Sequence, residues 1–296
     1  IMGGGSWTTS SYTSYTKTKG IKTSCLVDGT VTLDASYDAQ DLYTARKLDE
    51  ALDPKGVVRE CVDSEEHPNT IPVILALDVT GSMGSALEEV SKKLNAIMTE
   101  TYKKVKDVEF LVMGIGDLAY DNAPIQASQF ESDIRIVEQL DKVYFERGGG
   151  GNKYESYTAA RYFAVNQTKL DAWKRGKKGI LITLGDEPLN PYLPKEALQR
   201  ATGNKTLQGD VETKELYDEV IKKYDVYHFA IDDNHTCYRY YKDDIKETWG
   251  KYLDDNHLKV VTLNELAAQI VNAIAESSDS AIDETGVHTP TEGISW

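Results

Sequence analysis

"IPVILALDVTGSMG", Ile71 to Gly84, is apolar as far as Leu77 and then turns abruptly to an acid, two hydroxyls and two glycines. The apolar part is short and ends in a turn, the pattern of a strand covered on both faces rather than of a helix. A core gains nothing from Asp78, Thr80 and Ser82, because each buried oxygen left unpaired costs about 1–3 kcal/mol. Something has to pair them.

Outward from this stretch, apolar runs alternate with amphipathic segments. Strands are expected at Val73–Leu77, Val108–Gly114, Gly179–Leu184, Asp225–Ile231 and Leu258–Val261. Helices are expected at Ser85–Lys104, Ser156–Asn166, Thr213–Lys223, Lys242–Lys251 and Leu263–Ala275. Such alternation predicts an α/β fold, a doubly wound, mostly parallel sheet with helices on both faces. In such sheets ligands sit beyond the carboxyl ends of the strands. The main domain is expected over 71–276, with an N-terminal arm and helical extension over 1–70 packed on it and an acidic tail over 277–296. Within the arm, residues 3–24 mix Ser, Thr, Trp7, Tyr12 and Tyr15 without an acid, which suits a flexible arm or a docked extended strand. "DAQDLYTARKLDEALDP", Asp38 to Pro54, has helix-forming composition closed by proline.

The chain has 296 residues, 40% of them hydrophobic, enough for one large domain with extensions. Its formal charge of −15 repels phosphate backbones and anionic lipid, so neither nucleic acid nor a membrane is an expected partner. No apolar run reaches the roughly 20 residues of a spanning helix. Cys25, Cys61 and Cys237 are odd in number and widely spaced, which suits free thiols in a reducing compartment, and the expected location is cytoplasmic.

Two readings compete for the hydroxyls behind Asp78. Thr80 and Ser82 can cap the helix that follows, or the three oxygens can converge on a hard cation such as Mg²⁺. Later segments favour the cation. "ILITLGDEP" is another buried strand ending in acid, and sends Asp186 and Glu187 to the same sheet edge. "FLVMGIGD" sends Asp117 there, and "FERGGGGNKYESY" places four glycines before Asn152, Glu155 and a helix start. Several acids at one rim suit a cation site better than a set of caps.

"DVTGSMG", followed in order by "GGGGN" and "TLGDE", resembles the metal-ion-dependent adhesion site of von Willebrand factor A-type domains, over roughly Ile71 to Ala275. The arrangement is most similar to an intracellular bacterial or bacteriophage branch of that family. The resemblance implies that Thr80 and Ser82 touch Mg²⁺ directly, with Mn²⁺ or Ca²⁺ as alternatives, while Asp78 and Asp186 hold metal-bound water. The family's next contact is a threonine after the glycines; here Asn152 takes that place, with Glu155 and Thr158 as alternatives. Asp117, Glu155 and Glu187 would line the rim. The implied function is binding: the cation takes an Asp or Glu carboxylate from a protein partner, in an adaptor of a multi-protein assembly such as one built on a AAA-type ATPase.

Other classes fit less well. A structural or virion-associated component would assemble through the arm. A Mg²⁺-dependent phosphohydrolase of the haloacid-dehalogenase type wants a second acid two residues after its first, where this chain has Thr80, so no enzymatic activity is expected. "GIGDLA" and "GGGGNKYES" match no phosphate-cradling loop. His235 and Cys237, with His228 nearby, show one side of a zinc site without the other and read as ordinary loop and strand residues.

Overall fold

A computed structural model describes residues 5–146, 148 and 154–280. Six strands form the central sheet: β1 (Ile71–Asp78), β2 (Val108–Ile115), β3 (Ile125–Ala127), β4 (Gly179–Gly185), β5 (Tyr224–Ile231) and β6 (Leu258–Val261). Their order is β6-β5-β4-β1-β2-β3, all neighbours parallel except the antiparallel edge strand β3. The edge strand was not anticipated: it is three residues long and sits in a polar rim sequence that reads as loop.

Alternation along each strand explains why the runs are largely apolar. Val73, Leu75 and Leu77 of β1 face one core, and Ile74 and Ala76 face the other. The same split divides Phe110 and Val112 from Leu111 and Met113 on β2, and Ile180 and Ile182 from Leu181 on β4. A sheet covered on both faces favours apolar side chains along its strands, and a polar exception such as Thr183 of β4 is paired, here with His228 of β5.

The long helices divide accordingly. α1 (Thr9–Thr18), α2 (Gly84–Lys104) and α6 (Leu263–Ser277) cover the first face, and α3 (Thr158–Asn166), α4 (Thr213–Lys223) and α5 (Tyr238–Trp249) cover the second. α6 starts at a capping box, in which the Glu265 carboxylate accepts from the Thr262 backbone N–H and hydroxyl. Among the described residues no helix is long and apolar enough to cross a membrane.

Two N-terminal expectations need correction. Residues 9–18 form a helix, neither a loose arm nor a strand: Thr8 caps it by accepting from Ser11 N–H, and Tyr12 and Thr16 are its buried side. Trp7 and Tyr12 join the first core, and the Trp7 indole N–H donates to Asn95 of α2 at 3.2 Å. The helix expected over 38–54 exists only as Ala39–Leu42 and a 3-10 turn at Glu50–Leu52. Tyr43 ends it, because its ring is buried and its hydroxyl is tied to Ser91 Oγ at 2.8 Å and to the Leu87 carbonyl at 3.2 Å. Tertiary anchoring of that residue overrides the local propensity. The tail beyond residue 280 lies outside the described residues.

Candidate functional site

Strand register brings the acids to one edge. Leu77 lies opposite Leu184 and Asp78 opposite Ile115, so Asp78, Asp117 and Asp186 all leave the sheet at its carboxyl end. Asp78 turns back on its own loop: its Oδ1 accepts the Thr80 backbone N–H at 2.9 Å and the Thr80 hydroxyl at 2.6 Å. Thr80 makes no side-chain cap to the helical turn that follows, which removes the capping explanation for its hydroxyl.

One buried phenol joins the ends of β1 and β4. Tyr157, at the entry to α3, donates its hydroxyl proton to Asp78 Oδ2 at 2.7 Å and accepts from the Asp186 backbone N–H at 3.2 Å. Gly185 makes room for it, since a Cβ there would fall 2.2 Å from the phenol oxygen. Behind the phenol, His228 lies edge-on to its ring at 5.4 Å and stacks on Trp249 at 3.6 Å. Asp186 in turn uses Oδ2 to accept the Cys237 backbone N–H at 2.6 Å, and the nearby Ser82 hydroxyl lowers the same carboxyl against the larger effect of burial.

Three oxygens remain over. Asp186 Oδ1, Glu155 Oε2 and Glu187 Oε2 are buried without a hydrogen-bond partner. Among the described residues no Lys or Arg ion-pairs with Asp78, Glu155, Asp186 or Glu187; Arg147 and Lys153 of the neighbouring loop lie outside them. Burial, then the charges of Asp78 and Asp186, push the Glu187 carboxyl up to about 8. Asp78 is raised by burial and then by Asp186, Glu155 by burial and then by Asp78 and Glu187, and Asp186 by burial. Asp121, whose Oδ2 accepts the Asp117 N–H at 2.7 Å, is pushed by burial up to about 6.

Buried acids that ionise readily only beside positive charge, with hydroxyls among them, have the chemistry of a hard divalent-cation site. The donors present therefore fit such an ion. Among the described residues no three His, Cys, Asp or Glu side chains converge closely enough to hold a metal by themselves, so the fit is to an ion held partly through hydroxyls and water.

Of the residues singled out from sequence, Asp78, Thr80, Ser82, Glu155, Asp186 and Glu187 gather here. Asp117 lies at the same edge, buried, with its Oδ1 accepting the Ala119 N–H at 2.7 Å. Asn152 lies outside the described residues. Thr158 is not available as a cation contact, because its hydroxyl is shared with Thr213 at 2.8 Å and the Asn190 carbonyl at 3.3 Å. His228 and His235 form no zinc fragment: His228 is fully buried, with Nδ1 held by Thr183 Oγ1 at 2.9 Å. Sequence reading missed Tyr157 and Gly185. The only trace of either was the tyrosine directly ahead of the α3 pattern and the glycine directly ahead of Asp186, with nothing to pair them.

Three tyrosines after the central strands are exposed: Tyr120 after β2, Tyr192 after β4 and Tyr240 within α5 after β5, at 59%, 43% and 69%. The Arg239 guanidinium stacks 4.7 Å over the Tyr240 ring.

No family model and no curated protein matches the chain. Among solved structures it is similar to the vWF domain of the type V pili tip protein Mfa5 from Porphyromonas gingivalis, at 13% identity over 71% of this chain and 95% of that one, with a TM-score of 0.44. It is similar also to the pilus adhesin SpaC from Lactobacillus rhamnosus GG in its open conformation, at 14% identity over 73% of this chain and 31% of that one, with a TM-score of 0.41. The chain thus spans about a third of the length of that SpaC chain. Likenesses this distant carry no argument about its chemistry.

Proposed function

We propose that the chain is a von Willebrand A-type interaction module, which binds a protein partner's Asp or Glu carboxylate through a divalent cation, Mg²⁺ first, at the carboxyl edge of the sheet. The observation that carries this reading is the set of buried, unpartnered oxygens on Asp186, Glu155 and Glu187 beside the Asp78–Thr80 pair. Thr80 and Ser82 would hold the ion through their hydroxyls, and Asp78 and Asp186 would accept from its water. Bound there, a divalent cation supplies positive charge and an exchangeable position for a partner oxygen. Tyr157 fixes Asp78 and Asp186 relative to each other.

The reading extends to a cytoplasmic adaptor in a larger assembly, a AAA-type ATPase being one candidate, in keeping with three free cysteines. It excludes phosphotransfer, since Thr80 stands where that chemistry wants an acid. Assembly through the arm has less in its favour, because Trp7 and Tyr12 are spent inside the chain's own core. The test is calorimetric titration with Mg²⁺ and Mn²⁺, and capture of partners from host lysate in Mg²⁺ or chelator, each repeated with Asp186→Ala. Metal binding and metal-dependent capture by the unmutated chain alone are expected. Capture indifferent to chelator and to the substitution would overturn the proposal.

A further inference from the structure

At the amino end of the sheet, away from the cation site, His257 stands directly ahead of the edge strand β6. Both nitrogens of its ring meet a carboxylate: Nδ1 lies 2.6 Å from Asp254 Oδ1, and Nε2 lies 3.2 Å from Asp225 Oδ1. A neutral imidazole has one N–H, so one of these contacts would set a ring lone pair against a carboxylate oxygen, whereas an imidazolium donates to both. The two acids differ in setting. Asp225, the second residue of β5, is buried, and its Oδ2 accepts from the Tyr227 hydroxyl and from Ser280 Oγ, each at 3.3 Å. The Asp254 side chain, in the turn after α5, is 61% exposed. The Tyr227 ring packs on the imidazole at 4.7 Å, and Lys259 stands over that ring with Glu276 of α6 at 3.7 Å. Lys178 ahead of β4, Tyr217 of α4, Tyr224 and Tyr252 share a cavity of about 200 Å³ with His257. Burial works against a charge on the ring, and the bonds to Asp225 and Asp254 outweigh it, so the imidazole is held above its ordinary 6.5.

The backbone of the same residue fastens the strand. The His257 carbonyl accepts the His228 N–H of β5 at 2.8 Å, and the His257 N–H donates to the Asp254 carbonyl and to Asp254 Oδ1, each at 3.1 Å. We propose that His257 is a pH-sensitive clamp: as an imidazolium bridging Asp225 and Asp254 it holds β6 and the turn after α5 to β5, and on losing its proton it releases Asp254 and loosens both. The proton leaves a ring nitrogen for solvent or buffer, and no other covalent bond changes. Asp254 is the partner given up because it can rehydrate, whereas Asp225 stripped of its donor would stay buried. The folded chain holds this proton more tightly than the unfolded chain, so the stabilisation is full below 6.5 and is lost as pH rises through the raised value.

The experiment follows the imidazole nitrogens and carbons of His257 by NMR in the full, unmutated chain as pH is raised. Both ring nitrogens should be protonated at pH 7, with a midpoint above 6.5. Asp254→Asn, a change at a largely exposed position, should lower that midpoint by roughly one unit. Hydrogen exchange, expressed against the intrinsic rate at each pH, should show the amides of residues 254–261 losing roughly tenfold protection across the titration while β1 and β4 keep theirs. The acids at the carboxyl edge titrate in an overlapping range, but Asp254→Asn lies at the other end of the sheet. It should therefore remove most of the step at 254–261 and leave their titration unchanged. A ring already neutral at pH 7, with the shared proton on Asp225, would overturn the charged clamp, as would a midpoint at or below 6.5. Protection at 254–261 that stays constant through the His257 titration would overturn the release.

Discussion

Tyr157 illustrates how a single residue sets the geometry of the site. Its hydroxyl is at once donor to Asp78 and acceptor from Asp186 N–H, so Tyr157→Phe leaves a buried N–H and a carboxylate oxygen unpaired. A buried polar group stripped of its partner costs about 1–3 kcal/mol. Denaturant unfolding should register a loss of that size, and an unchanged midpoint would refute the role. Gly185→Ala attacks the same contact from β4, because the new methyl would overlap the phenol. It should destabilise by about 1–3 kcal/mol through overpacking. Since both changes act on one contact, the double variant with Tyr157→Ala should lose clearly less than the sum of the singles. Strict additivity would mean that Gly185 matters for some other reason.

At the scale of elements, the sheet was legible because β1, β2, β4 and β5 are buried on both faces and therefore mostly apolar, with Glu109, Thr183, Asp225 and His228 the buried polar exceptions within them and an acid at or just after each strand end. Asp78, Asp117 and Asp186 were legible for the same reason: an acid directly after a buried strand has to leave the sheet at its edge. Less local features were hidden. Nothing in the sequence says that Tyr43 anchors on α2 and so stops a helix that propensity would continue, or that Tyr157 reaches Gly185. The docking of the arm is likewise a tertiary matter. The Gly5 carbonyl accepts from Ser132 Oγ at 2.5 Å and from His67 Nε2 at 2.8 Å, while His67 Nδ1 faces Asp107 at 3.3 Å. Asp107 itself holds a left-handed backbone, φ 59°, at the turn into β2. This clamp tethers the chain just ahead of Trp7 and α1. Ser132→Ala removes one donor, and amides of residues 7–18 should then exchange about three- to tenfold faster, in line with the net worth of one hydrogen bond, while the sheet keeps its protection. Exchange unchanged in that segment would show that Trp7 and Tyr12 hold the arm alone.

For the whole molecule, the acidic edge couples stability to pH and to cations together. The Glu187 carboxyl, ordinarily near 4.5, is held up to about 8 in the folded chain, and Asp121 moves from 3.8 to about 6. Asp78, Glu155 and Asp186 shift in the same direction. Between the ordinary and the raised values the folded chain keeps protons that the unfolded chain releases, so this contribution is full below the ordinary values and is lost as pH rises through the raised ones. In chelator the unfolding temperature should therefore carry a component that falls from about pH 4.5 to about pH 8. Acids elsewhere oppose it, since Asp28 and Asp34 are lowered by their bonds to Thr30 and to Ser36. The difference between Mg²⁺ and chelator cancels those remote groups and isolates the site. A cation binds the deprotonated cluster and stabilises by its preference for the folded state, so the Mg²⁺ increment should be small near pH 5 and grow toward pH 8. Asp186→Asn should flatten that growth. Thermal unfolding over this range decides the matter: an increment independent of pH, or none at all, would mean that the buried acids do not hold the ion.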